Sequence, residues 1–378
     1  MVYLLKLTSL ISVLPLMSCA TIEQLKWQPD LITKESILRD HMKLNNETVF
    51  NGIQTLAFVT QWNPRGFLLA KKTASRLNFV SNVWFDVVPQ FDIENMENVA
   101  IRGERNINRD FIGVLRKTNP DIKIVPRFLF TEFTVENTEY FVKKEVLVQK
   151  VGQKFANFCH KHGFDGLVID GFVNFLPALR SNKLDTIEMF VQLGSVIKRN
   201  GLIAILSFPT LIGGEDEKQR NTSPMSPDEC TQLADPYDVV QLWTYSDGLH
   251  LTINRHIVND EYLISNMRLF GFSPKLMLGM NYYGIQYPLD EYRAGSRHRV
   301  WNPVTSKEFL AVLKMEDAVL TWNAENKEHE LVSESANTFI LFPSLTTLEY
   351  RISLAKEYNV GVAFWDYGQG LDYFTNLV

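Results

Sequence analysis

Eight short apolar runs, each bounded by turn residues, recur along the chain and limit what it can become. They are TLAFVTQW (55–62), FVSNVWFDVV (79–88), IKIVPRFLF (122–130), GFDGLVID (163–170), LIAILSFPT (202–210), YDVVQLWTYS (237–246), KLMLGMNYYG (275–284) and GVAFWDYG (361–368). Most are continuously apolar rather than alternating, which is the pattern of parallel strands covered on both faces. Helical patterns lie between them. KKEVLVQKVGQKFANFCHKHG places Leu147, Val151, Phe155 and Phe158 on one face and stops at Gly163, and LDTIEMFVQLGSVIKRNG repeats the design up to Gly201. SLTTLEYRISLAKEYNVG offers Leu348, Ile352 and Ala355 before the last run. Strands alternating with helices eight times predict an α/β fold, a closed (β/α)8 TIM barrel.

The spacing breaks once. About 75 residues separate Gly284 from Gly361, more than one crossover helix needs. Within that stretch, AVLTWNAENKEHELVSESANTFILFP reads as two or three antiparallel strands, so a small α+β insertion, about 285–358, is expected between the seventh and eighth strands. The resulting organisation is a leader (1–20), an N-terminal extension (21–54) and one barrel domain (55–378). A chain of 378 residues that is 46% hydrophobic can fill such a core.

The opening segment, MVYLLKLTSLISVLPLMSCA, carries one Lys, an apolar run and the small residues Ser18, Cys19 and Ala20. It reads as a signal peptide, too short and too interrupted to span a bilayer, which leaves no membrane span after cleavage and a destination outside the cell or in the endolysosomal lumen. Asn46 and Asn221 begin glycosylation sequons that fit this route. Cleavage leaves Cys159 and Cys230 on helices separated by another helix, so two free buried thiols are expected. No Cys/His cluster suggests a metal site, and a net charge of -5 without a basic run argues against nucleic acid as a partner.

Chemistry in a barrel collects at the C-terminal ends of its strands. Here those ends carry Trp62, Trp84 with Asp86, Glu132, Asp170 with Phe172, Trp243 with Tyr245, Tyr283, and Trp365 with Asp366. Aromatics beside carboxylates suit a sugar, whose apolar ring faces stack on aromatic planes while its hydroxyls need acceptors. Through FDGLVID, WTYS, LGMNYYG and FWDYGQGLDYF, the chain from about residue 50 onward resembles the family 18 glycoside hydrolases, the chitinases and chitinase-like lectins. The resemblance implies an N-acetylglucosamine-containing oligosaccharide as ligand and no cofactor. It also implies Trp365 as the floor of the central sugar subsite and a Tyr245 hydroxyl that reaches the acetamido carbonyl.

The family's active strand reads DGxDxDxE. Aligned on Asp165 and Gly166, this chain has Val168 at the second acid, Asp170 at the third and Phe172 at the glutamate. Strand alternation sends 168, 170 and 172 into the barrel mouth, and Asp165 the other way into a structural role. The mechanism implied by the resemblance uses the substrate's own acetamido oxygen as nucleophile, and its glutamate protonates the leaving oxygen. A phenyl ring transfers no proton, and general acid catalysis typically supplies about 10²- to 10⁴-fold. Ser246 follows Tyr245 where the family commonly has Asp, a second loss on a different strand.

Three functions follow. One is a silent chitinase-like protein that binds glycan through Trp62, Trp84, Asp86, Asp170, Trp243, Tyr245, Tyr283, Trp365 and Asp366. Another is an active glycosidase whose acid has moved to Asp170, Glu132 or Asp86. The last is a scaffold for a protein receptor, with the barrel merely structural. Each retained residue also has a structural reading, Asp170 as a buried carboxylate held by a neighbour and the aromatics as core.

Overall fold

The computed structural model describes residues 21–44, 52–92, 95–212, 223–245, 258–295 and 301–378. The leader, Asn46, Asn221 and Ser246 lie outside these residues. Nine strands precede the insertion: β1 (Thr55–Thr60), β2 (Phe79–Asp92), β3 (Asn95–Arg102), β4 (Lys123–Ile124), β5 (Arg127–Phe130), β6 (Gly166–Asp170), β7 (Ile203–Pro209), β8 (Val239–Trp243) and β9 (Leu276–Asn281). The insertion carries β10 (Gly284–Pro288), β11 (Asn302–Val304), β12 (Val319–Asn323), β13 (Glu328–Ser333) and β14 (Thr338–Phe342), and β15 (Gly361–Trp365) closes the series.

Parallel pairing runs β1-β15-β9-β8-β7-β6-β5-β2, and β2 returns to β1 through Leu56 opposite Phe79 to Thr60 opposite Val83. The sheet is therefore a closed eight-stranded barrel. Helices such as Pro64–Thr73, Glu145–His162, Lys183–Arg199 and Leu345–Glu357 cover its outside. Gly163 ends the longest of them in the left-handed region, φ 68°, and its amide closes the helix on the Cys159 and His160 carbonyls.

The core has two shells. Phe58, Val83, Val125, Val168, Ile205 and Met277 fill the barrel, while a larger cluster lies between strands and helices. Cys159 and Cys230 belong to the outer shell as buried free thiols, and burial pushes both thiols up.

Four features depart from the sequence expectations. The third strand is split, because Pro126 has no N–H to give to the ladder; Val125 still donates to the Val80 carbonyl at 3.0 Å. The second strand runs on past the barrel and folds back as antiparallel β3 from Asp86 opposite Arg102. The seventh strand stops at Asn281, and Gly284 already belongs to the insertion. That insertion is a five-stranded antiparallel sheet, β11-β10-β14-β13-β12, to which β10 and β11 contribute beyond the strands expected.

The N-terminal segment is fastened to this side of the molecule. Trp27 and Lys26 amides donate to Glu349 at 2.8 and 3.2 Å, and Lys34 Nζ donates to the Met315 carbonyl at 2.5 Å. No helix among the described residues is long and apolar enough to cross a membrane.

Candidate functional site

Inward-facing positions change from apolar to polar toward the C-terminal end of the barrel. Arg127 follows Val125, Asp170 follows Val168, Ser207 follows Ile205, Gln241 and Trp243 follow Val239, and Trp365 follows Ala363, all at strand alternation. These residues make the floor of the barrel mouth.

At its centre Asp170, 2% exposed, accepts a hydrogen bond from Arg127 Nη1 at 3.0 Å. The same guanidinium lies over the Trp365 indole, 5.2 Å from the ring centroid, and Phe58 packs on that indole at 5.2 Å. Burial pushes the Asp170 carboxyl above its ordinary value, and the Arg127 charge opposes the push. Asp170 Oδ1 and Arg127 Nε are buried with no hydrogen-bond partner among the described residues. Buried polar atoms are overwhelmingly partnered, so these two atoms mark a place for a polar ligand group or water.

The surrounding groups are held just as firmly. Trp243 Nε1 donates to Ser207 Oγ at 2.6 Å, and Ser207 donates to Gln241 Oε1 at 3.0 Å. Tyr245 rests against β9, where a Cβ on Gly279 would come within 2.8 Å of its Cε1 and 2.4 Å of the Leu242 oxygen, so only glycine fits. Burial pushes the Tyr245 phenol well up, with Tyr283 and Asp170 adding to the rise. Tyr283 is pushed up to about 12 by burial and by Asp366. Both hydroxyls therefore stay protonated near neutral pH and can donate.

Asp366, at φ 57°, accepts from Thr60 Oγ1 at 2.5 Å, Trp62 Nε1 at 3.1 Å and Asn63 Nδ2 at 3.3 Å. Its oxygens are occupied in holding Trp62, which stands 62% exposed on the rim. From Trp62 a lateral cleft of about 700 Å³ runs past Asp86 to Arg102, Arg105 and Arg127, with the backward-folding β3 as its wall.

Several sequence expectations land elsewhere. Phe172 does not point into the mouth. The strand ends at Asp170, Gly171 takes φ 122°, and residues Phe172–Phe175 form a 3-10 turn. The Phe172 ring, fully buried, packs instead on Phe208 at 4.3 Å and Phe190 at 5.1 Å in the outer shell. Trp84 is 3% exposed against Phe85 and Phe164, because it follows the inward-facing Val83 and alternation turns it out of the barrel, leaving little of the ring to the lateral cleft it borders. Glu132, exposed on the rim at φ 61°, pairs with Arg102 at 2.6 Å. Asp165 accepts from Arg116 at 2.9 Å and from the Ile124 amide at 2.8 Å, away from the mouth. Val168 is part of the apolar interior. Arg127 is the member of the site absent from the sequence candidates, and a charge one alternation beyond the inward-facing Val125 is its signal.

Solved structures give the architecture its context. A chitinase from Chromobacterium violaceum superimposes with a TM-score of 0.68 over 86% of this chain and 98% of its own, at 14% identity. A family 18 N-acetylglucosaminidase from Paenibacillus barengoltzii gives 0.63 over 86% and 100%, at 15% identity. A family 18 chitinase from Cycas revoluta, solved in complex with (GlcNAc)3, gives 0.64 over 86% and 98%, at 13% identity. The chain has a family 18 glycoside hydrolase-like fold. No protein family's sequence model matches it, in keeping with identities this low. Within that fold β6 presents one inward carboxylate to the described barrel mouth, Asp170, and it is bound to Arg127.

Proposed function

We propose that this protein is a chitinase-like lectin, binding an N-acetylglucosamine-containing oligosaccharide in the barrel mouth without cleaving it. One observation carries the reading: residue 172, where a proton donor belongs, is a phenylalanine whose ring leaves the mouth at Gly171 and is buried between Phe190 and Phe208. Substrate-assisted cleavage needs that donor and a carboxylate beside it, and Val168 supplies none. The carboxyls that could have taken over are engaged by arginines, Asp170 by Arg127 and Glu132 by Arg102, while Asp86 faces the lateral cleft.

What remains suits recognition. Arg127 Nε, Asp170 Oδ1 and the protonated hydroxyls of Tyr245 and Tyr283 offer donors and an acceptor to sugar hydroxyls. Trp365, Trp243 and the rim residue Trp62 supply aromatic surface. The stretches VTQWNPRG, VPRFLF and WDYGQGLDYF resemble most the branch of chitinase domain-containing protein 1, the stabilin-interacting chitinase-like protein, and a protein receptor is a second partner consistent with that branch. The same reading makes residues 1–20 a signal peptide and the mature protein secreted or endolysosomal, glycosylated at Asn46 or Asn221. N-terminal sequencing then begins near Thr21, and an intact Met1 refutes this part.

The test of silence is hydrolysis of chromogenic chitobioside and chitotrioside. The rate should equal that of a blank, and turnover within about a hundredfold of an active family 18 enzyme overturns the proposal.

A further inference from the structure

A second cleft, about 740 Å³, opens on the other side of Trp62, between the barrel rim and the insertion. One wall is the helix Ser306–Leu313 with the residue that follows it. Lys307, Leu310, Ala311 and Lys314 line the cleft, and their spacing of three, four and seven residues puts them on one helical face. Trp62 forms the opposite rim and lines both clefts.

The charge in this cleft is not balanced. Its lining acid, Asp372, is taken by Arg65 through two hydrogen bonds, one from Nε at 2.9 Å and one from Nη2. Glu308, next to Lys307, turns to its own helix start and accepts from the Thr305 amide and hydroxyl, each at 2.8 Å. Lys307 and Lys314 are exposed and pair with no carboxylate among the described residues. Two ammonium groups without a carboxylate partner among the described residues therefore share a cleft with an exposed indole. Seven residues of helix separate them by roughly 10 Å, close to the repeat of a glycan that bears one acidic group per disaccharide.

We propose that this cleft is a second glycan site, specific for a linear oligosaccharide carrying carboxylate or sulfate groups. Sugar C–H faces stack on Trp62, and the acidic groups meet Lys307 and Lys314. The site goes beyond the barrel-mouth reading and shares with it only the rim residue Trp62, since neither Asp170 nor Trp365 lines it.

The experiment titrates the full protein with three hexasaccharides: one sulfated (heparin-derived), one carboxylated (hyaluronan) and one neutral (chitohexaose). Lys307→Glu with Lys314→Glu is compared with Trp365→Ala and with Lys117→Glu plus Lys356→Glu, exposed positions that line neither cleft. Wild type should bind at least one acidic ligand with an affinity that falls as salt rises. The double swap at 307 and 314 should weaken that binding at least about tenfold while leaving chitohexaose unchanged. Trp365→Ala should leave acidic-ligand binding intact, so a failed barrel mouth and a failed second cleft give different patterns. The sulfated and carboxylated ligands decide which group is preferred. No binding of either acidic ligand, or equal weakening by the control swap, overturns the proposal.

Discussion

Gly171 takes φ 122°, and a Cβ there would come within 2.8 Å of Phe130 Cβ, so the turn that withdraws residue 172 from the barrel mouth depends on glycine at this position. Residue 172 is therefore kept from the mouth by geometry as well as by its chemistry. Phe172→Glu should not restore cleavage, because the new carboxylate would be buried among Phe190 and Phe208. It should also cost at least the 3–5 kcal/mol or so typical of deleting a buried phenyl group, measured as urea-unfolding midpoints with a chitotrioside assay alongside. A stable variant that turns over substrate would show that residue 172 can reach the mouth. A second residue-scale test concerns Arg127. Arg127→Met leaves Asp170 buried without its counter-charge, which should destabilise the protein by about 3–5 kcal/mol, while Arg127→Met with Asp170→Leu should recover most of the loss. Equal stability of the single variant and wild type would mean that the pair is not the centre of the site.

At the scale of elements, the insertion meets the N-terminal segment through His329 on β13. Its Nδ1 sits 2.9 Å from Ser344 Oγ and its Nε2 3.4 Å from the Pro29 carbonyl, so the ring is placed as a neutral imidazole that donates from Nε2 and accepts at Nδ1. Burial lowers its pKa from 6.5 to about 4. Between those values the unfolded chain binds the proton and the folded one does not, so stability falls as pH falls through this window, by up to about 3 kcal/mol. Urea unfolding at pH 7 and pH 4.5 should show a smaller acid loss in His329→Gln than in wild type. Identical losses would contradict the assignment. The barrel strands were legible because parallel strands buried on both faces spell continuous apolar runs. Less legible were Val125-Pro126, where proline breaks a ladder that the apolar pattern runs straight through, and β10 and β11, too short to show a period. Trp84 departs from the sequence expectation because it follows the inward-facing Val83 and so faces outward by plain alternation, while the bulge beside it, which puts Phe85 in the outer shell and Asp86 on the lateral cleft, leaves no mark in hydrophobicity. Phe172 leaves the mouth because strand alternation ends with β6 at Asp170, one step before it.

The whole molecule is a barrel whose mouth holds Arg127 between Asp170 and the Trp365 indole, flanked by two clefts that meet at Trp62. Aromatic burial at roughly 25 cal/mol per Å² makes one stacked indole worth on the order of 1–2 kcal/mol of glycan affinity. Trp365 is the indole at the centre, and its dependence on the mouth is what distinguishes a lectin site there from binding anywhere else on the surface. The decisive measurement is isothermal titration of N-acetylglucosamine tetramer into wild type and Trp365→Ala, with the recovered ligand weighed by mass spectrometry. Saturable binding by wild type, about tenfold weaker binding by the variant and an intact tetramer are the predicted result. Unchanged affinity in a folded Trp365→Ala, or a cleaved tetramer, would contradict the account.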